Sequence, residues 1–160
     1  MTSRYRTIVD VHVLLRRADG RVLLMERAGT GYADGQLCPP SGHLEAGESV
    51  VAGAIRETAE EVGVELGAAE LDFVHVVHHR NGDGEARVGF FFLADSWRGS
   101  PVNREPHKCA GLLWADPADP PAHTVPYTAA ALAGIAERRP FSLHGWERSP
   151  AAEPADDRRR

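Results

Sequence analysis

Hydrophobic and polar positions alternate along much of this chain, in short segments separated by stretches rich in glycine and proline. Alternation of this kind, with many β-branched residues, is typical of strands. The pattern predicts five strands, at residues 7–15, 21–26, 71–79, 85–94 and 111–115. An Asp-Gly turn at residues 18–20 predicts that the second strand returns alongside the first as a hairpin.

Two segments show helical patterns instead. Residues 50–62 repeat apolar positions three and four apart, and residues 124–138 are rich in alanine. Ser49 is a candidate N-cap for the first helix, and Gly63 is a candidate C-terminal stop. The order of these elements predicts a mixed sheet with two helices, in one α+β or sandwiched domain.

The segments between these elements are predicted to be loops. Glycine clusters occupy residues 28–36 and 42–47, and an Asn-Gly-Asp-Gly turn joins the third and fourth strands. Pro39 and Pro40 restrict any strand at residues 37–41 to a short or edge position, because proline has no N–H to donate. Residues 96–108 are predicted to be an irregular loop.

The composition fits one folded domain. The chain has 160 residues, of which 42% are hydrophobic and 26% are charged. We predict a domain at residues 1–147. Residues 148–160 are polar and rich in proline, alanine, aspartate and arginine, so we predict a disordered C-terminal tail there.

Charge and hydropathy argue against several classes of partner. The formal net charge is −5 and most basic residues are scattered arginines, which does not favour a surface for polymeric nucleic acid. No apolar run approaches the roughly 20 residues of a membrane helix, and the N-terminus lacks a signal-peptide pattern. We therefore predict a cytoplasmic protein without a membrane partner. Cys38 and Cys109 lie far apart in sequence and make no metal-ligand pair, and a disulfide between them is not expected in a reducing compartment.

Three glutamates stand out on the first predicted helix. At about 100° per residue, Glu57, Glu60 and Glu61 cluster on one arc. They are predicted to point away from the face that carries Val51, Ile55, Thr58 and Val62 and docks on the sheet. Carboxylates at this spacing repel one another. Alone they would indicate a solvated acidic face, but a hard dication such as Mg²⁺ would offset the repulsion, because it prefers oxygen ligands.

The residues around the three glutamates complete a longer pattern. Its positions are Gly42, Glu48, Arg56, Glu57, Glu60, Glu61, Gly63 and the apolar Val64. This spacing resembles the signature of the Nudix hydrolase family. One soft position departs from it, since Thr58 stands where a larger aliphatic residue is usual. Just before the signature, Ser41 replaces a glycine of the family's frequent Pro-Gly-Gly. The resemblance in element order covers about residues 7–139.

The resemblance implies an α/β/α sandwich with a mixed sheet between helices. It also implies that Glu57, Glu60 and Glu61 bind Mg²⁺ or Mn²⁺, that the Ser41 carbonyl completes the site, and that one of the glutamates, Glu57 in some relatives, is the general base. Glu48 and Arg56 are expected to pair and hold the helix, as a bidentate arginine–carboxylate clamp does. Gly42 and Gly63 belong to the same structural motif.

Candidates outside the glutamate cluster have competing explanations. By resemblance Glu105 is a further metal ligand or base, and Arg27 contacts substrate phosphates, although a surface arginine is the alternative. His43 is a second candidate for substrate binding. Lys108 either supports the site electrostatically or is simply solvated. Tyr32 and Trp114 could each stack on a base or pack in the core or a loop.

Three histidines at positions 75, 78 and 79 suggest zinc. Strand periodicity puts His75 and His79 on one face and His78 on the other, and no cysteine or further histidine pattern completes a tetrahedral site. One of them could instead contact substrate.

The resemblance implies a small-molecule nucleotide as substrate. The markers of ADP-ribose and diadenosine-polyphosphate hydrolases are missing near residues 78–80. We therefore expect a nucleoside triphosphate pyrophosphohydrolase that releases a nucleoside monophosphate and pyrophosphate. A nucleotide-sugar or dinucleoside polyphosphate hydrolase is the alternative within the same class. A nucleotide-sensing module without catalysis is the alternative in another class, and the intact glutamates argue against it. The oligomeric state, monomer or homodimer, stays open.

Overall fold

The computed structural model describes residues 3–147, so the tail predicted at residues 148–160 lies outside the described residues. Within the described part, no helix is long and apolar enough to cross a membrane. The strands are β1 (Ile8–Leu15), β2 (Val22–Arg27), β3 (Leu37–Cys38), β4 (Ser41–His43), β5 (Asp72–Arg80), β6 (Ala86–Ala94), β7 (Cys109–Ala115) and β8 (Phe141–His144), and the helices are α1 (Val50–Val62) and α2 (Pro126–Ala136). The five predicted strands are confirmed, with ends shifted by at most two residues.

The larger sheet has five strands in the order β4-β1-β6-β5-β8. β1 runs parallel to β6 and antiparallel to β4, while β5 runs antiparallel to β6 and parallel to β8. The sheet is therefore mixed. Helix α1 packs against β1 and β4, and helix α2 packs against β5 and β8. The predicted sandwich of a mixed sheet with two helices is confirmed.

The smaller sheet has the order β3-β2-β7 and corrects one expectation. The tight turn before β2 forms, but β2 meets β1 only through an isolated bridge between Arg16 and Val22, so the predicted hairpin pairing is wrong. β2 instead pairs with β3 and β7. Val22 and Leu24 enter one hydrophobic cluster, whereas Leu23 and Met25 enter the other. Because both of its faces are buried, β2 lies between the two clusters.

The first helix has the predicted limits, because its end signals are local. The Ser49 hydroxyl accepts the Ala52 N–H at 3.1 Å, and Gly63 adopts the left-handed conformation with φ 71°. The second helix is shorter than predicted at both ends. At its start the His123 carbonyl and the Val125 N–H bond to the backbone of Leu37, so this stretch pairs with β3 and does not join the helix.

The loop predicted at residues 42–47 is wrong at its start, because Ser41–His43 form β4 and pair with β1. Two further short elements were not predicted. Strand β8 follows α2 and lies beside β5, with Ser142 opposite Val77. A single 3-10 turn spans Ala68–Glu70 before β5. Both are too short for a clear periodic signal, and β8 gains its backbone partners from a strand distant in sequence.

Candidate active site

A cavity of about 430 Å³ lies where β2, β4 and α1 meet the loop before β7. We call it the carboxylate cavity, because Glu57, Glu61 and Glu105 line it together. Its wall also includes four other predicted site residues, namely Arg27, Ser41, Gly42 and His43. The structure thus gathers residues from four separate parts of the chain around one space.

Glu61 is the most enclosed carboxylate of this cavity. Its Oε2 accepts the Ser41 N–H at 2.9 Å. Burial raises the pKa of Glu61 to about 8, and the nearby charges of Glu57 and Glu105 act in the same direction. A carboxylate in this setting gains from any positive charge placed next to it.

The placement of Glu61 corrects the helix-face prediction. Glu61 follows Ala54 by seven residues, which is about two helical turns, so the two side chains leave the helix in nearly the same direction. Ala54 is fully buried. Glu61 therefore points towards the interior. The glutamates do not turn away from the docking face as a group.

Glu57 is half-buried and lies against the backbone of Gly42. A Cβ atom at position 42 would overlap the Glu57 carboxyl group. Burial raises the pKa of Glu57, and the ion pair with Arg56 opposes that shift. Glycine at this position therefore leaves room for the carboxylate.

Arg56 is the centre of an ion-pair network on the outer side of α1. Its Nε lies 2.7 Å from Glu48 Oε1, and its Nη2 lies 3.0 Å from Glu48 Oε2. The other guanidinium nitrogen contacts Glu57 Oε1 at 2.8 Å and Glu60 Oε2 at 3.2 Å. The hydrogen bonds from Arg56 hold the pKa of Glu48 at about 2. The arginine thus holds the loop that precedes the helix and also positions Glu57.

Glu60 does not line the carboxylate cavity. Its side chain is 53% exposed and contacts Arg56. Of the three predicted glutamates, the structure brings Glu57 and Glu61 together with Glu105 and leaves Glu60 at the outer side of the helix. Glu105 is held in its loop by a hydrogen bond from its N–H to Asn103 Oδ1, at 3.2 Å.

Basic side chains lie on the rim of the carboxylate cavity. Lys108 Nζ is 3.4 Å from Glu105 Oε1. Arg27 donates to the Tyr32 carbonyl at 2.9 Å and to Thr30 Oγ1 at 3.1 Å, which holds it against the loop after β2. His43 is largely exposed, with Nε2 3.3 Å from Asp10 Oδ1.

The donor set suits a hard dication. Among residues 3–147, no three His, Cys, Asp or Glu side chains already surround a common point as metal ligands. The carboxylate cavity nevertheless brings the carboxyl groups of Glu57, Glu61 and Glu105 together, and burial raises the pKa of both Glu57 and Glu61. A dication would relieve the cost of burying these carboxylates, so the residues fit Mg²⁺ or Mn²⁺.

The histidines of β5 have other partners. His75 is fully buried, with Nδ1 2.7 Å from the Arg139 carbonyl and Nε2 2.8 Å from Ser142 Oγ. His79 Nδ1 lies 3.0 Å from His144 Nδ1, and His78 packs on Trp146. These contacts explain the histidines without zinc.

A second cavity, of about 350 Å³, was not predicted from the sequence. We call it the aromatic cavity, because its wall includes the rings of His12, Tyr32, His79 and Tyr127. It shares Arg27, Ser41, Gly42 and His43 with the carboxylate cavity, so the two spaces adjoin. The unusual signal in the sequence was Asp10 and His12, two polar residues on inward positions of β1. Trp114, by contrast, packs on Trp97 in the core.

Comparison with known proteins agrees with this architecture. The model of the NUDIX domain family matches residues 6–133. The uncharacterized Nudix hydrolase YvcI of Bacillus subtilis is 31% identical over 102 residues, which are 62% of this chain. The matched region spans 61% of the length of that curated relative, which is less than two thirds.

Solved structures show the same fold. The MutT NUDIX hydrolase from Burkholderia pseudomallei matches with a TM-score of 0.73 at 29% identity, over 81% of this chain and 98% of that one. The ORF135 protein of E. coli matches with a TM-score of 0.69 at 24% identity, over 94% of this chain and 96% of that one. With a family model that spans most of its length, the chain belongs to the Nudix hydrolase family.

Proposed function

We propose that this protein hydrolyses a phosphoanhydride bond in a nucleoside diphosphate-linked substrate, with Mg²⁺ or Mn²⁺ as cofactor. The substrate that we favour is a nucleoside triphosphate, cleaved to a nucleoside monophosphate and pyrophosphate. The observation that carries the proposal is the convergence of Glu57, Glu61 and Glu105 in one cavity that adjoins a second, ring-lined cavity. With a dication bound to the carboxylates, a chain of phosphates would lie in the first cavity and the nucleoside attached to it in the second.

The proposed ligands of the dication are Glu57, Glu61 and Glu105, together with the Ser41 carbonyl. Glu60 lies one helical turn from Glu57 at the outer side, where it would bind a further ion or a metal-bound water. Such a dication supplies charge neutralisation for the phosphates and lowers the pKa of the attacking water. One of Glu57, Glu60 and Glu61 accepts the proton from that water.

Arg56 and Glu48 are proposed to act by positioning. The bidentate pair between them fixes the loop before α1, and a third nitrogen of Arg56 holds Glu57 at 2.8 Å. Arg56 would therefore orient a ligand carboxylate without contacting substrate.

Arg27, His43 and Lys108 are proposed to contact phosphate oxygens. All three line the carboxylate cavity, where the positive charges of Arg27 and Lys108 compensate the charge of a polyphosphate. Arg27 and His43 also line the aromatic cavity, so they lie where the phosphate chain would join the nucleoside.

The alternatives differ in what they predict for a substrate panel. A nucleotide-sugar or dinucleoside polyphosphate hydrolase would place a second sugar or nucleoside beyond the metal. A nucleotide-sensing module would bind its ligand without cleaving it. The cavity residues described above favour catalysis, because a carboxylate set of this density serves a metal better than it serves a bare polyphosphate.

The direct test is phosphate and pyrophosphate release from nucleoside triphosphates, nucleotide sugars and dinucleoside polyphosphates, with Mg²⁺ and with EDTA. We expect metal-dependent cleavage of a triphosphate to the monophosphate and pyrophosphate. Binding without cleavage, seen as a raised melting temperature over the whole panel, would favour the sensing module and contradict the proposal.

A matched pair of variants tests the metal site itself. Glu61→Gln removes the buried charge and is expected to lower kcat by at least about 100-fold, because it removes a metal ligand or the base. Glu65→Gln is the control, since Glu65 is exposed and contacts only the solvent-facing Arg98 in the contacts described. Near-normal turnover in Glu61→Gln would contradict the assignment of Glu61.

A further inference from the structure

Strand β8 is an edge strand of the larger sheet, and its apolar side chains are the exposed ones. Within residues 3–147, β5 is the strand that pairs with it, so its outer edge is open. Ser142 is buried, and its Oγ lies 2.8 Å from His75 Nε2. Phe141 and Leu143, on the alternate positions, are 47% and 53% exposed. Edge strands that face only water usually carry charged residues that oppose pairing with another chain, so the pattern of β8 favours a covered edge.

The two exposed side chains lie on the side of the sheet that carries α1. Phe141 stands opposite Val76 of β5, and Val76 stands opposite Phe90 of β6. Cross-strand neighbours share a face, and Phe90 packs against the hydrophobic cluster that contains Val62 of α1. Leu143 shares that face, because it lies two residues after Phe141. Helix α1 packs over β1 and β4, at the other end of the sheet from β8.

The apolar surface at this end of the sheet is large for a single chain. Phe73 of β5 is 52% exposed and stands opposite Phe92, which belongs to the same cluster as Val62. Together with Phe141 and Leu143, it leaves about 300 Å² of apolar side-chain surface exposed on one face. A patch of this size often marks an interaction site.

The outer edge of β8 also offers backbone hydrogen-bonding groups. The Val76 N–H donates to the Pro140 carbonyl at 2.9 Å. Backbone groups alternate in direction along a strand, so residues 140, 142 and 144 bond towards β5. The N–H and carbonyl groups of Phe141 and Leu143 therefore face the open edge, where one further strand would bond to all of them.

We propose that the open edge of β8 pairs with the same edge of a second copy of this chain, antiparallel and about a two-fold axis at Ser142. In this register Phe141 of each copy exchanges two backbone hydrogen bonds with Leu143 of the other. All the outward backbone groups of both residues are used. The apolar side chains of the two copies become cross-strand neighbours on one face, which is the contact that stabilises paired strands.

The charges at the two ends of β8 suit an antiparallel pair. Arg138 and Arg139 precede the strand and Glu147 follows it, and all three are exposed. Arg139 pairs with Glu137 of its own chain at 2.7 Å, which leaves Arg138 as the cation directed to another chain. Antiparallel pairing brings the Arg138 end of each strand to the Glu147 end of the other, so opposite charges meet at both ends of the interface.

A second copy fits this edge better than the chain's own tail does. Alanine and proline are the only apolar residues at positions 148–160, and they offer little surface for packing on Phe141 and Leu143. A second β8 supplies one phenylalanine and one leucine in matching positions. Because β8 has four residues, we expect an interface at the small end of specific ones and a dissociation constant on the order of 10 µM.

Sedimentation velocity of the metal-free protein without nucleotide tests the pairing, from about 1 µM to about 500 µM protein. This measurement does not depend on catalysis, so it can fail or succeed whatever the proposed function does. We expect a monomer that becomes a dimer as the concentration rises. Leu143→Lys should raise the dissociation constant at least about tenfold, because a lysine at a sheet edge opposes pairing. Val102→Lys is the matched control, since Val102 is 54% exposed in the loop before β7, and it should dimerise as the wild type does.

A charge exchange tests the antiparallel arrangement separately. Arg138→Glu and Glu147→Arg should each raise the dissociation constant by about threefold, because each places like charges together at both ends of the interface. The double variant restores opposite charges and should return to the wild-type value. A double variant that dimerises more weakly than either single variant would overturn the arrangement.

Amide hydrogen exchange identifies what covers the edge. In the proposed dimer, the Phe141 and Leu143 amides gain protection as the protein concentration rises. A monomer at all concentrations overturns the proposal: protected amides would then assign the edge to the chain's own tail, and unprotected amides would leave it open to a different protein. A dimer that Leu143→Lys leaves unchanged also overturns the proposal, because the copies would then meet through another surface.

Discussion

Single residues of this chain have roles that depend on a neighbour distant in sequence. Gly42 is the clearest case, because its lack of a side chain makes room for the Glu57 carboxyl group. The spacing within the motif identifies Gly42 as important, but the contact that makes glycine necessary appears only when α1 packs beside β4.

We predict that Gly42→Ala lowers kcat/KM by at least about tenfold, because the added methyl group displaces Glu57 from the carboxylate cavity. Steady-state kinetics with the preferred nucleotide measure the effect. The matched control is Gly111→Ala, since a Cβ at Gly111 meets no atom within 4 Å. Full activity in Gly42→Ala would show that the position of Glu57 does not depend on this glycine.

Among the predicted site residues, sequence spacing was informative where the contacts are local. The Glu48–Arg56 pair spans a loop and two helical turns, and the structure contains it. The predicted direction of Glu61 was wrong, because the buried face of α1 extends beyond its large apolar residues to the small residues Gly53 and Ala54, which allow close packing on that side.

Helix α1 is the element that carries the site, and its ends are set by its own sequence. The N-cap hydrogen bond from Ala52 to Ser49 satisfies a backbone donor that would otherwise lack a partner in the first turn. This cap lies at the junction with the loop that Arg56 and Glu48 hold, so its loss affects the helix start.

We expect Ser49→Ala to lower the free energy of unfolding by about 1 kcal/mol, because the cap hydrogen bond is lost. Urea denaturation followed by circular dichroism measures the change. Ser49→Asp is the control that keeps an acceptor at the cap and should remain close to the wild type. An unchanged midpoint in Ser49→Ala would mean that the cap contributes nothing to stability.

The elements that sequence patterns missed or misplaced are those held by distant partners. β8 pairs with β5, and β2 pairs with β7 instead of the strand before it. The start of α2 is likewise decided by pairing of its preceding residues with Leu37. Periodicity along one segment does not specify which distant segment supplies the hydrogen bonds.

At the scale of the whole molecule, burial of titratable groups links stability to pH. Glu61 has a folded pKa of about 8, raised from 4.5. An acid with a raised folded pKa contributes stability at low pH that is lost as the pH rises through the folded value. His12 has a lowered pKa, so its contribution is present above 6.5 and is lost as the pH falls below that value. Below pH 6.5, the contributions of Glu61 and His12 to the free energy of unfolding change with pH in opposite directions. Above pH 6.5, the contribution of His12 is constant and that of Glu61 still changes.

We therefore predict that the metal-free protein loses about 2 kcal/mol of stability between pH 6.5 and pH 8, which is the part of the Glu61 shift that falls in this window. Urea denaturation in EDTA at both pH values measures the loss. Glu61→Gln should flatten the dependence, because the amide does not titrate. A wild-type protein whose stability does not fall over this range would contradict the buried, shifted carboxyl group.

By itself, the sequence determined the family resemblance, the limits of α1 and the approximate limits of the five longer strands, because these depend on spacing and on end signals within one segment. Only the tertiary structure decided that Glu61 points inward while Glu60 stays outside, and that Asp10, His12 and Arg87 share a second cavity. The physical reason is that burial and side-chain direction depend on how separate elements pack, and the pattern within one element does not contain that information.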